Sequence, residues 1–178
     1  MEKEKKSNSL GKARPSRKTT SARETFAAAE AVTFQVSVLS NLVGRPFHNV
    51  IGKRTGMSIN DWRLMLVIAD QPGLSQADIV NATGFNKTTV SRSLRDLERF
   101  VQLRPHPIDS RKHAVYLTDE GWDIYSRSTP ILLWRQDQLT RSLPPSELRR
   151  FKATLAKLIE SARQWADHPD QEDPDDQA

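Results

Sequence analysis

The chain has 178 residues, 28% of them charged, with a formal net charge of +5. No apolar run approaches the roughly 20 residues of a membrane span, and the basic N-terminus lacks the apolar stretch of a secretory signal. Cysteine is absent, which excludes disulfides, thiolate metal sites and thiol-based oxidant sensing. A cytoplasmic protein of one domain, or one domain plus a dimerisation region, is the expectation. The last eleven residues hold five carboxylates and no Lys or Arg. They contribute −5, so residues 1–167 carry +10 against +5 for the whole. A cationic body with an acidic tail suits DNA, although many soluble domains are as basic without binding nucleic acid.

Residues 1–22 are rich in Lys, Arg and Ser and read as a disordered basic arm. The arm can touch DNA phosphates, but a solvated tail is the plainer reading. From Arg23 to Arg54 a long helical pattern follows. Val32, Val36, Leu39, Val43, Phe47, Val50 and Ile51 recur at spacings of four and three, and Phe34, Val38 and Leu42 add a second apolar stripe. Two stripes imply two neighbours. Pro46 removes a backbone donor, so the helix is expected to bend or divide there. Ser58 opens the next helix with Asp61 three residues on, a weaker form of the capping box. Trp62, Leu64, Met65, Leu66, Ile68 and Ala69 make that helix densely apolar, and Gln71-Pro72-Gly73 ends it.

The segment from Leu74 to Leu117 organises the chain. Ser75 can cap a short helix, Gly84 breaks it, and Asn86 can cap a second helix from Lys87 to Arg99 or Phe100. Val90, Leu94 and Leu97 share one buried face of that helix. Lys87, Thr88, Thr89, Ser91, Arg92 and Arg95 are left outward. Small residues, hydroxyls and cations concentrated toward a helix N-terminus are what entry into a DNA major groove requires. Val101 to Pro105 and Ala114 to Leu117 read as short strands joined by a charged tip, Ile108-Asp109-Ser110-Arg111-Lys112, so that they form a wing beside the helix-turn-helix. Arg111 and Lys112 sit at the tip, where an arginine can reach the minor groove. Asp109 is expected to hold Arg111 in one orientation.

These segments resemble a known family. Leu74-Ser75-Gln76, Asn86-Lys87-Thr88-Thr89-Val90-Ser91-Arg92, Leu97-Glu98, Asp109-Ser110-Arg111 and Leu117-Thr118-Asp119-Glu120-Gly121 are similar to the MarR family of winged-helix transcriptional regulators. The resemblance extends more weakly over roughly residues 28 to 165. Its most specific pieces are the Asp-x-Arg tip and the following Leu-Thr-x-x-Gly. Members usually carry glycine where Phe100 stands, ending the recognition helix in a left-handed turn.

Beyond the wing, Thr118 caps a helix with Asp119 and Glu120 in its first turn. Trp122, Tyr125, Ile131, Leu132, Leu133, Trp134 and Leu139 populate its apolar side, and Pro130 should kink it. Pro144-Pro145 punctuates the chain. A last helix to about Trp165 then carries Leu148, Phe151, Leu155, Leu158, Ile159, Ala162 and Trp165 on one stripe. The fold class expected is mainly α with a small two- to three-stranded β-wing, a winged helix-turn-helix with N- and C-terminal dimerisation helices. Residues 23–57 and 118–166 would form the dimerisation region, 58–117 the DNA-binding lobe, and 167–178 a disordered acidic tail.

No catalytic constellation, phosphate loop or cofactor motif is present, so no enzyme and no cofactor are expected. His106 and His113 flank the wing tip with only Asp109 near in sequence. Solvated wing residues are a better reading there than a metal site. The resemblance implies a homodimer on a near-palindromic operator in double-stranded DNA. It also implies a small, often aromatic effector held between the dimerisation helices and the DNA-binding lobe. His48, Trp62, Met65, Trp122 and Tyr125 are the pocket candidates by family position, with core packing the plainer reading for each. Thr88, Thr89, Ser91 and Arg92 are the expected base-edge contacts. Lys87, Arg95 and Arg104 are expected at phosphate, and Arg111 in the minor groove. A repressor relieved by an effector is the function expected. Its rivals are a constitutive DNA binder and a winged helix used for protein contacts.

Overall fold

The computed structural model describes residues 27–167, and the chain divides into two compact units, residues 1–41 and 42–178. The expected basic arm (1–22) and acidic tail past Asp167 lie outside the described residues. In the first unit a turn at Ala27–Ala31 leads into α1 (Val32–Gly44), which crosses the boundary between the units. The Gln35 amide donates back to the Ala29 carbonyl at 2.9 Å. Val32, Phe34, Val36, Val38 and Leu39 are exposed along this helix.

The second unit begins by resolving the Pro46 expectation. The helical pattern is divided: α1 stops at Gly44, a π-helical turn spans His48–Gly52, and a short α2 (Lys53–Thr55) ends at Gly56 with φ +75°. Phe47, Ile51 and Met57 are buried here. α3 (Ile59–Asp70) opens with a complete capping box. The Ser58 N–H donates to Asp61 Oδ2 at 2.8 Å, and the Asp61 N–H donates to Ser58 Oγ at 3.2 Å. Asp61 thus makes both bonds of the box, the role usually taken by Glu or Gln. Trp62, Leu64, Met65 and Ile68 of α3 are fully buried and form the centre of the core.

Gly73, at φ +92°, turns the chain into a two-residue strand β1 (Leu74–Ser75), and Tyr116 packs against it where a Cβ would stand 3.0 Å from the phenol oxygen. α4 (Gln76–Thr83) carries a second capping box, Ser75 with Asp78, and ends at Gly84 with φ +69°. α5 (Lys87–Asp96) follows, then β2 (Val101–Pro105), β3 (His113–Leu117), α6 (Asp119–Thr140) and α7 (Pro145–Asp167). The sheet order is β1-β3-β2, antiparallel throughout, with Leu74 opposite Val115 and Val101 opposite Leu117. The wing is therefore three-stranded, the upper end of the expected range. α6 runs through Pro130 as one helix, with Pro145 in the first turn of α7 as its missing N–H allows.

Candidate nucleic-acid interface

Asn86 caps α5, its Oδ1 accepting the Thr89 N–H at 2.7 Å. Val90 and Ser93 are buried on the inner face, and Leu94 is partly buried against the core. Leu97, just past the helix, is fully buried. That face fixes the roll of the helix, and Lys87, Thr88, Ser91, Arg92 and Arg95 come out exposed, with Thr89 half-buried. The helix is shorter than its sequence suggests. It ends at Asp96, and residues 97–100 form turns in which the Glu98 N–H donates to Arg95 O and the Phe100 N–H to Leu97 O. The buried Leu97 and Phe100 side chains hold this exit in the core, so the chain leaves α5 by short turns rather than by running on to Arg99.

The exit is locked from the other side. Thr118 donates its N–H to Phe100 O at 3.0 Å and its hydroxyl to Arg99 O at 2.9 Å, while the same hydroxyl accepts the Gly121 N–H and caps α6. Gly121 is required because a Cβ there would lie 2.2 Å from Phe100 O. The Leu-Thr-x-x-Gly pattern thus has a physical content: core anchor, double-duty cap, close approach.

At the wing tip Asp109 Oδ1 accepts both the backbone N–H and Nε of Arg111 at 3.1 Å, and Oδ2 accepts Nη2 at 3.4 Å. Lys112 Nζ lies 3.9 Å from the same carboxylate. These bonds hold the Asp109 carboxyl below the ordinary carboxylate range, the Arg111 side chain being the main cause. Arg111 remains 89% exposed, so the clamp orients the guanidinium without hiding it. Arg104, exposed on β2, places its guanidinium 5.1 Å from the Tyr116 ring centre. A groove of about 860 Å³ between α4, α5 and the wing brings Lys87, Ser91, Arg95, Arg111 and Lys112 to one surface.

The pocket candidates are dispersed. Trp62 and Met65 belong to the core, Tyr125 is half-buried against it, and Trp122 is 40% exposed. The side chain of His48 lies outside the described residues. Phe47, Trp62, Tyr125 and Trp122 form a chain of ring contacts at 6.3, 6.5 and 5.6 Å between centroids. The indole Nε1 of Trp62 is buried without a hydrogen-bond partner. A separate cavity of about 440 Å³ is lined by Val50, Ile51, Arg54 and Thr55 on one side and by Ile124, Arg127, Ser128, Pro130 and Ile131 on the other. None of these nine was among the sequence candidates. Their two segments lie some seventy residues apart, and the sequence placed Val50, Ile51 and Ile131 only on the apolar faces of two separate helices. Among the described residues no cluster of three or more His, Asp or Glu is placed to hold a metal, and no helix is long and apolar enough to cross a membrane.

A three-stranded wing beside a helix-turn-helix with a cationic outer face defines a winged-helix DNA-binding protein. Residues 55–111 match the profile of the MarR family. The transcriptional regulator HosA of Escherichia coli O111:H- is 36% identical over 100 residues, covering 55% of this chain and 74% of HosA. The crystal structure of a MarR/EmrR family transcriptional regulator from Acinetobacter sp. ADP1 superposes with a TM-score of 0.67 at 25% identity, over 74% of this chain and 94% of that one. Bordetella bronchiseptica BpsR, whose structure concerns regulation of DNA binding by 6-hydroxynicotinic acid, gives a TM-score of 0.64 at 20% identity over 76% and 97%. The chain belongs to the MarR family and is a transcriptional regulator, not an enzyme.

Proposed function

We propose that the protein is a cytoplasmic, homodimeric repressor that binds a near-palindromic operator and releases it on binding a small anionic aromatic effector. The observation carrying the DNA reading is the shared surface of α5 and the wing: Lys87, Ser91, Arg92 and Arg95 exposed on a rigid helix, with Arg111 aimed by Asp109 beside them. In this reading Thr88, Thr89, Ser91 and Arg92 address base edges, Lys87, Arg95 and Arg104 address phosphates, and Arg111 enters the adjacent minor groove. Two copies related by a dyad place their α5 helices in major grooves about one helical turn apart.

The effector reading is supported by the 440 Å³ cavity between residues 50–55 and 124–131. Arg54 is the cation this cavity offers beside apolar walls, since Arg127 is paired with Asp123, and one cation on apolar walls suits an aromatic carboxylate. A ligand of that class acts on BpsR. An effector that favours a dimer with wrongly spaced recognition helices needs a differential affinity of only about 1–3 kcal/mol.

The test is salt-dependent binding of the purified protein to DNA from its own upstream region against random duplex. A preference of roughly a thousandfold with two symmetric protected half-sites is expected. Equal, steeply salt-dependent binding to both would reduce the protein to a non-specific binder, and no binding at low salt would discard the DNA reading. Release of the operator by 6-hydroxynicotinic acid or salicylate, and loss of that response in Arg54→Ala, tests the effector reading.

A further inference from the structure

His106 stands at the base of the wing loop between Pro105 and Pro107, whose rings fix the backbone φ on either side of it. Its own N–H donates to Lys112 O at 3.0 Å and closes the hairpin. Its ring turns into the loop, where Nδ1 accepts the N–H of Ile108 at 3.3 Å and that of Asp109 at 3.2 Å. The amide held in this way belongs to the residue whose carboxylate then takes the N–H, Nε and Nη2 of Arg111. The wing tip is therefore two consecutive caps, imidazole on the Asp109 amide and the Asp109 carboxylate on Arg111. A neutral imidazole with its proton on Nε2 can accept both amides. An imidazolium has donors on both nitrogens and can accept neither.

We propose that His106 is a positioning residue for DNA binding: a neutral, Nε2-protonated imidazole whose Nδ1 sets the Asp109 clamp and thereby the minor-groove arginine, so that ring protonation loosens Arg111 and weakens the complex. The inference rests on the DNA-binding reading above. Asp109 in the loop and Asp78 on α4 lie within electrostatic reach of the ring. The cations and titratable groups nearest it are Lys112 and Arg111 in the loop and Arg104 and His113 on the flanking strands. Asp109 and Asp78 are both held below the ordinary carboxylate value of 3.8, so neither changes charge between about pH 8 and 5.5.

The experiment compares the full chain with His106→Asn, whose Oδ1 keeps an acceptor but does not titrate, and with His106→Ala. Operator affinity is measured at about pH 8 and pH 5.5, and ring nitrogen shifts are recorded by NMR in the free protein. The affinity ratio of the parent to His106→Asn is expected to fall about fivefold on acidification, roughly the net worth of one lost hydrogen bond. His106→Ala should be weak at both pH values while keeping its folded spectrum, and Nδ1 of His106 should show the unprotonated shift at pH 8. A ratio that stays constant or rises with acid, or a proton on Nδ1, overturns the proposal. If the parent fails to bind DNA at pH 8, the DNA reading falls by itself, while the Nδ1 state and the Ile108 and Asp109 amide shifts still decide whether the ring organises the wing.

Discussion

Two single residues show how narrowly the DNA-binding surface is specified. Gly121 lies where a Cβ would stand 2.2 Å from the Phe100 carbonyl, which already accepts the Thr118 N–H. Gly121→Ala should push α6 away from the turn that ends α5, destabilising the fold by about 1–3 kcal/mol and lowering the thermal midpoint. A midpoint unchanged within error would mean the turn moves freely. Arg111 is the second. Arg111→Ala should weaken operator binding and reduce the preference for a narrow A·T-rich flank, read by a binding titration on flank variants. Asp109→Asn should weaken binding less, because the amide oxygen keeps the acceptor for the Arg111 N–H and Nε while the clamp loses its charge and its acceptor for Nη2. The Asp109 carboxyl is depressed, so its contribution is full above its ordinary value of 3.8 and is lost only as pH falls below it.

At the scale of the element, caps and glycines decide where each helix begins and ends. Ser75 accepts the Asp78 N–H and donates its hydroxyl to Asp78 Oδ2 at 2.6 Å, while the Ser75 N–H reaches the same oxygen at 2.9 Å. These bonds are the main reason the Asp78 carboxyl is held below its ordinary value. Ser75→Ala should cost about 1 kcal/mol and let the Asp78 carboxyl titrate closer to 3.8, measured by denaturation and by NMR titration. The stabilisation is present above 3.8 and lost as pH falls through the depressed folded value. The helix-turn-helix was legible in the sequence because its signals are local: Ser75, Gly84 and Asn86 at the ends, and Val90, Leu94 and Leu97 on one face. The Asp109–Arg111 clamp was legible for the same reason, two residues apart on one loop. What escaped depends on distant partners. The strand β1 is only two residues long and exists because β3 offers it an edge. The end of α5 at Asp96 is set by burial of Leu97 and Phe100 and by Thr118, some twenty residues on. The cavity walls, residues 50–55 and 124–131, meet only through the tertiary fold. Trp62 and Met65 were pocket candidates by family position only, with core the plainer reading of their helical spacing, and their burial agrees with core.

At the scale of the molecule, much apolar surface lies outside the core of the single chain. Phe151, Leu158, Ile159 and Trp165 are 44–62% exposed on α7, Leu133, Trp134 and Leu139 are 52–62% exposed on α6, and α1 adds further exposed Val, Leu and Phe. On α7 these residues follow one helical stripe, so the surface is patterned as a face rather than scattered, and patterned apolar faces of this kind mark interfaces. In the proposed dimer a second copy would cover it, and DNA recognition would depend on that cover, because two recognition helices are needed to read a near-palindromic operator. Leu158→Glu with Ile159→Glu leaves the lobe of α3, α4, α5 and the wing untouched, since neither residue belongs to its core. The double variant should give a monomer mass by light scattering at micromolar concentration, with the near-ultraviolet signature of the buried Trp62 retained. Its operator affinity should fall toward that of a single half-site, with a salt slope near half the parent value as half the phosphate contacts are lost. A variant that stays dimeric would move the interface off α7. One that becomes monomeric yet binds the full operator as tightly would separate recognition from assembly and leave effector control without the dimer geometry it requires.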